Sequence, residues 1–71
     1  MDLLLMRGGA KYGFEFNFAE TPATTKSMRV AKTDLKLRRL FVVHPGTRRF
    51  ELDDQIVALP LTSLLAESAG L

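Results

Sequence analysis

The 71-residue sequence contains no cysteine and no tryptophan, and it has a single histidine. Without cysteine the chain can form neither a disulfide framework nor a thiolate zinc site, and one histidine is too few for an imidazole zinc site. A reducing cytoplasm is therefore the expected location. The apolar amino terminus MDLLLM is too short for a membrane span and lacks the basic segment of a signal peptide, so we expect no membrane partner.

Neither the charge nor the length is extreme. A net charge of +2 with 46% hydrophobic residues is typical of an ordinary globular domain and does not by itself imply nucleic acid. The length predicts one domain over residues 1–71. Its stability should be modest, because a chain of this size buries only about 60% of the surface that it exposes when unfolded.

Residues 2–18 predict a β-hairpin. They read DLLLMRGGAKYGFEFNF, two β-prone runs joined at Gly8-Gly9. Two glycines tolerate the positive φ angles of a primed hairpin turn, and a two-residue turn sets Arg7 opposite Ala10. The register of both strands follows from that pairing.

This register brings three polar side chains to one face. It sets Asp2 directly opposite Glu15, and Asn17 projects from the same side of the strand. Cross-strand neighbours have Cβ atoms roughly 4.5–5.5 Å apart, close enough for two carboxylates to share a divalent cation. Asp2 and Glu15 are thus candidate metal ligands with Mg²⁺ as the candidate cofactor, and all three residues are candidate catalytic groups.

The patterns along the chain predict an α/β or α+β fold, with a mixed sheet of about five strands and two helices. Strands are expected at about residues 2–6, 11–18, 39–43, 48–52 and 55–59, and helices at about 24–37 and 61–68. The apolar first strand is typical of a strand covered on both faces. The second strand alternates strictly, and its aromatic face is expected to pack on the helix that follows. In the alternative interpretation that face is a base-stacking platform of Tyr12, Phe14, Phe16 and Phe18.

The first helix carries a basic stripe beside the positions expected to face the sheet. Thr24 or Thr25 can cap its amino terminus. The inward positions are Met28, Ala31 and Leu35. The stripe consists of Arg29, Lys32 and Lys36. A polyanion could dock there, although a solvated helix face is the ordinary explanation of three such cations.

His44 and the Asp53-Asp54 pair have simpler explanations than chemistry. His44 precedes Pro45 in a predicted turn with no serine or cysteine nucleophile motif beside it, so an exposed or capping role is expected. Adjacent side chains point in different directions, so Asp53 and Asp54 are interpreted as turn residues and not as a metal site.

The acidic hairpin is similar to that of PD-(D/E)xK nucleases, which carry Asp on one strand and (Asp/Glu)-x-Lys on the next. Here the triplet is Glu15-Phe16-Asn17, with asparagine in place of the lysine. The run GAKYGFEFNFAETPATTKSMRVAKTDL, followed by LFVVHPG, RRFEL and ALPL, resembles the extreme carboxy-terminal domain of a family of prokaryotic AAA-type ATPases over nearly the whole chain. The resemblance implies a partial restriction-endonuclease-like core, an ATPase domain upstream in full-length relatives, and a chain that is a truncated or stand-alone form.

In such nucleases two carboxylates hold a magnesium ion that activates the attacking water, while the lysine positions that water and adds charge. Asn17 brings no charge, and losing one electrostatic donor costs roughly 10²- to 10³-fold in rate in other active sites. We therefore expect a catalytically inactive nuclease-like accessory domain that makes protein contacts. The alternative is a weak Mg²⁺-dependent nuclease or nucleic-acid-binding domain that uses Asp2, Glu15 and the basic stripe.

The resemblance also predicts a homodimer. In the family fold an earlier strand and helix flank the Asp-bearing strand, and this chain lacks both. The edge from Asp2 to Met6 would then lie unprotected, with apolar side chains on both faces, and an unpaired apolar edge strand is an association site. A two-fold dimer, or contact with another protein, would cover it.

Overall fold

The computed structural model describes residues 1–18 and 22–71, which form a single mixed sheet with two α-helices. The strands are β1 (Leu3–Arg7), β2 (Ala10–Phe16), β3 (Arg39–His44), β4 (Phe50–Asp53) and β5 (Ile56–Pro60). The helices are α1 (Lys26–Asp34) and α2 (Leu64–Ala69), and a 3₁₀ turn, Leu61–Ser63, precedes α2. The strand order β1-β2-β3-β5-β4 confirms the predicted α+β class, with strand boundaries shifted by a residue or two. No helix in this part of the chain is long and apolar enough to cross a membrane.

The amino-terminal hairpin has the predicted register. Gly8 and Gly9 have positive φ angles of 58° and 79°, as a primed two-residue turn requires. β1 and β2 pair antiparallel, with Arg7 opposite Ala10 and no irregularity along the rest of β1. The local turn chemistry therefore decides the pairing of this end of the sheet.

The aromatic face of β2 packs against α2, not against α1 as predicted. Tyr12 and Phe14 are buried, and Phe14 stacks on Phe41 of β3 with ring centroids 5.1 Å apart. Leu64 of α2 packs on this cluster. β2 also ends earlier than predicted, so Phe18 lies beyond the strand and is 79% exposed. The aromatic residues of the strand are core, which leaves no continuous stacking platform.

α1 covers the opposite face of the sheet. β2 and β3 are parallel, so the chain between them crosses over the sheet and places its helix on one face only. Met28 of α1 and Leu37 beyond it belong to a second buried cluster with Leu40, Val42 and Ile56. Gly13 makes this packing possible, because a Cβ atom there would lie only 2.8 Å from Leu37 Cδ1.

The first helix is shorter than the predicted span 24–37 because a Schellman motif closes it. Thr25 caps the start, where its Oγ1 accepts a hydrogen bond from the Met28 N–H at 3.2 Å. At the other end Lys36 has a positive φ of 53°, and the N–H groups of Lys36 and Leu37 donate back into the last turn. Leu35 is therefore exposed, and Leu37 takes the buried position that was predicted for Leu35.

His44 is buried at the end of β3 and bonds across the turn that follows. Its Nδ1 accepts a hydrogen bond from the Gly46 N–H at 3.0 Å, and its Nε2 lies 3.0 Å from the Arg48 carbonyl oxygen. Because Nδ1 accepts, Nε2 carries the proton and donates to that carbonyl. Of the two roles expected for this residue, capping is confirmed and exposure is not.

β1 is the outer strand at one edge of the sheet. Its apolar sequence predicted a strand covered on both faces, and that prediction is wrong. Leu3, Leu4 and Met6 are 49%, 45% and 65% exposed. The helices lie over the middle of the sheet instead, where the two buried clusters are built on β2, β3 and β5. Three of the four apolar residues of β1 are therefore open to solvent, while Leu5 packs on the cluster that contains Phe14.

Candidate functional site

Asp2 lies just before β1 and caps the sheet with its carboxylate. Its backbone N–H donates to the Phe14 carbonyl oxygen at 3.0 Å, and its Oδ2 accepts from the Phe16 N–H at 2.8 Å. The carboxylate thus takes the position at which a longer β1 would have offered a backbone acceptor to β2. One of the two predicted metal-ligating carboxylates is already engaged within the hairpin.

Glu15 and Asn17 lie toward the carboxyl end of β2. Glu15 is half-buried and shares the α1 face with Gly13, while Asn17 follows the strand and donates its backbone N–H to the Val43 carbonyl oxygen at 2.8 Å. Across residues 1–18 and 22–71, no three His, Cys, Asp or Glu side chains form a group that could hold a metal ion. The fold therefore adds no third such ligand to Asp2 and Glu15 from these residues.

The predicted basic stripe of α1 is divided by its surroundings. Arg29 Nε donates to Asp53 Oδ2 at 2.9 Å, and this hydrogen bond, helped by one from the Asp54 N–H, holds the pKa of the Asp53 carboxyl below its usual value. Lys32 lines a small cleft beside the same pair. Lys36 lies beyond the helix and lines a different cleft. The three cations therefore have different surroundings, and Arg29 is the one that forms an ion pair with a described residue. Asp53 is the last residue of β4, not a turn residue.

A second group of cations could not be recognised from the sequence. Lys11, Lys36 and Arg38 line one cleft of about 370 Å³ together with Gly9 and Ala10. The Arg38 N–H donates to the Lys11 carbonyl oxygen at 2.8 Å, which holds these two residues side by side. They are distant in the chain and meet only because β2 and β3 are parallel neighbours. The residue types were visible in the sequence, but the strand pairing was not.

Within residues 1–18 and 22–71, β1 pairs with β2 alone, so its other edge combines outward backbone groups with apolar side chains. Arg7 and Ala10 flank a two-residue turn and so form a hydrogen-bonded pair. Because such pairs alternate along an antiparallel ladder, the N–H and C=O groups of Leu4 and Met6 face away from β2. A backbone edge of this kind, flanked by exposed apolar side chains, can accept a further strand.

The fold and this edge define the chain as a small mixed α+β domain with an open, apolar sheet edge. It belongs to the family described as "Domain of unknown function (DUF4143)", whose model matches residues 1–64. The match spans all five strands and α1.

Two mycobacterial proteins are similar to this chain. "Uncharacterized protein Rv2008c" of Mycobacterium tuberculosis and "Uncharacterized protein Mb2031c" of Mycobacterium bovis are each 45% identical to it over 65 residues. The matched segment covers 92% of this chain but 15% of each relative, so the chain spans only a small part of their length. No solved structure matches the chain significantly.

Proposed function

We propose that this chain is a catalytically inactive, nuclease-like accessory domain that acts through protein contacts, and that its β1 edge pairs with β1 of a second copy. The observation that carries the proposal is the open apolar edge. Leu4 and Met6 expose apolar side chains on the α1 face, and their backbone groups point outward. Leu3 exposes a further apolar side chain on the opposite face.

Pairing would stabilise the domain substantially. A core of this size contributes only about 3–5 kcal/mol of net stability, and each Å² of apolar surface removed from water adds about 25 cal/mol. A second β1 strand would cover the exposed leucine and methionine side chains and would satisfy the outward backbone groups with new hydrogen bonds. Two copies related by a two-fold axis form the simplest closed arrangement, with the two β1 strands antiparallel.

In light scattering at micromolar concentration, the chain is expected to have twice its monomer mass. Leu4→Lys places a charge in the shared edge and should return the chain to the monomer mass, because charged side chains on an edge strand oppose strand pairing. The melting temperature of the unmodified chain should also rise with its concentration, as dimerisation linked to folding requires.

Leu65→Lys is the matched control for this test. Leu65 of α2 is 85% exposed, so the same chemical change there should leave the dimer mass unaltered. A monomer mass for the unmodified chain, or equal effects of both substitutions, would contradict pairing through β1. Binding of a different protein at the same edge would then be the next partner to seek.

The nuclease-like part of the proposal is supported by the hairpin that carries Asp2 and the Glu15-Phe16-Asn17 triplet. Its inactivity is supported by the absence of a positive charge at Asn17, where the nuclease motif has lysine. The greater length of the relatives supports a place within larger proteins. The resemblance in the order of sequence blocks supports an ATPase-family architecture for those proteins. The lack of cysteine supports a cytoplasmic location.

Catalytic inactivity predicts that the chain does not nick supercoiled or single-stranded DNA in the presence of Mn²⁺ above a Glu15→Ala control. Asn17→Lys restores the charged group of the motif and is the gain-of-function arm. Nicking by the unmodified chain that disappears in Glu15→Ala would make the domain a weak metal-dependent nuclease. The readout is the conversion of supercoiled plasmid to the open circle on a gel.

A further inference from the structure

Three cations meet in the cleft at the end of the sheet where β2 and β3 begin. Lys11 and Arg38 are held side by side by the backbone hydrogen bond between them. Lys36 lies in the short segment between α1 and β3 and lines the same cleft. The cleft has a volume of about 370 Å³ and lies away from the acidic hairpin end that carries Asp2. We call Lys11, Lys36 and Arg38 the basic cleft.

The positive charge of the basic cleft is not neutralised within the described structure. Arg29 and Arg49 form ion pairs with Asp53 and Glu67, at 2.9 Å each. None of the three cleft cations forms such a pair with any residue in 1–18 or 22–71, and no carboxylate lines the cleft. Like charges held together without counter-charges repel one another, so an anion bound there would relieve this repulsion.

The backbone conformation of Lys36 is a second indication that the basic cleft is a functional site. Lys36 occupies the left-handed position at the end of a Schellman motif, with φ at 53°, where glycine is strongly favoured because it has no Cβ. Residues held in such costly conformations concentrate at functional sites. A lysine at this position contributes charge to the cleft at a cost in backbone conformational energy.

We propose that the basic cleft binds the phosphodiester backbone of nucleic acid. Ammonium and guanidinium groups are the usual partners of phosphate oxygens. Among the described residues, the lining contains no aromatic ring and no carboxylate that could recognise a base or a sugar, so the cleft is suited to bind charge without sequence preference. The basic cleft shares only Lys36 with the predicted stripe on α1. Lys11 lies opposite Met6 of the dimer edge, but no residue of β1 is among the described residues that line the cleft.

The test measures binding of a fluorescein-labelled 20-nucleotide single-stranded DNA by anisotropy across a series of salt concentrations. Replacing the three cations (Lys11→Gln, Lys36→Gly, Arg38→Gln) should weaken binding by about tenfold or more. The slope of log K against log salt should fall by about two, since each lost phosphate contact removes about 0.7. A control double, Lys26→Gln and Arg48→Gln, removes charge elsewhere and should change affinity less than about threefold, whereas the matching cleft double, Lys11→Gln and Arg38→Gln, should weaken binding by about fivefold or more.

Lys36→Gly alone separates binding from folding. Glycine relieves the left-handed strain, so the melting temperature should rise by a few degrees while DNA affinity falls. Equal losses from the two double variants, or no binding by the unmodified chain at about 50 mM salt, would overturn the proposal. So would cleft-dependent binding of inorganic pyrophosphate or of phosphatidylserine vesicles without binding of the oligonucleotide.

Discussion

His44→Leu is expected to lower the free energy of unfolding by about 1–3 kcal/mol. The substitution removes two hydrogen bonds and fills the same space with an apolar side chain of similar size. The imidazole ring joins the Gly46 N–H to the Arg48 carbonyl oxygen, both at 3.0 Å. No leucine atom can replace either bond. In a domain whose core supplies only about 3–5 kcal/mol, this loss is a large fraction of the total stability.

The measurement is urea denaturation, with Thr47→Ala as the control in the same turn. Thr47 is exposed, so its truncation should change stability by less than about 0.5 kcal/mol. Hydrogen exchange of the Gly46 amide gives a local readout, since it should accelerate in His44→Leu beyond the effect of lower global stability. Unchanged Gly46 exchange would show that the ring fills space and does not hold the turn.

Gly13→Ala is expected to destabilise the domain by about 1–2 kcal/mol, even though the change adds a single methyl group. The added Cβ would meet Leu37 Cδ1 at 2.8 Å and Leu40 Cδ1 at 3.1 Å, and both leucines are buried. The Met1 side chain also crowds the position, but it is flexible and 47% exposed, so it can move aside. The clash therefore acts on the packing of the segment after α1 against β2 and β3.

Gly70→Ala is the matched control for this substitution. A Cβ there would lie 3.6 Å from the Glu67 carbonyl oxygen, an ordinary contact, and its φ of −87° suits alanine. Gly70→Ala should be neutral or stabilising by about 0.4–1 kcal/mol, through the lower entropy of the unfolded chain. Leu37→Ala combined with Gly13→Ala should cost less than the sum of the two single changes, and strict additivity would contradict the clash.

Local chemistry accounts for the parts of the fold that could be predicted. Gly8-Gly9 specifies a two-residue turn, and the register that it predicts is confirmed. This register is strongly specified because a slip of one residue would turn every side chain of the strand to the other face. Thr25 was one of two predicted caps and is the residue that bonds the first turn of α1. Element order and type followed in the same way from periodicity over short windows.

The same local reasoning failed where a residue type broke its usual preference. Nothing in the residues around Lys36 signals the end of a helix, since the left-handed position there is normally glycine. The predicted helix therefore ran to residue 37, and the inward face was assigned to Leu35 when Leu37 is buried. The Asp2 carboxylate likewise could serve as a metal ligand or as a hydrogen-bond acceptor for the backbone. Its hydrogen bond from the Phe16 N–H depends on where β1 begins, which the sequence does not specify.

The candidate surfaces also differ in whether local sequence or tertiary pairing determines them. The acidic pair is a consequence of one hairpin, so the sequence of residues 2–18 is enough to indicate it. The apolar side chains of β1 are visible in the same residues, but its place at the sheet edge is decided by the strand order. The basic cleft and the split of the α1 stripe are different, because they require β2 to lie parallel to β3 and β4 to bring Asp53 to Arg29. Short-range periodicity and turn chemistry carry no information about which distant strands pair, so those surfaces emerge only when the chain is packed.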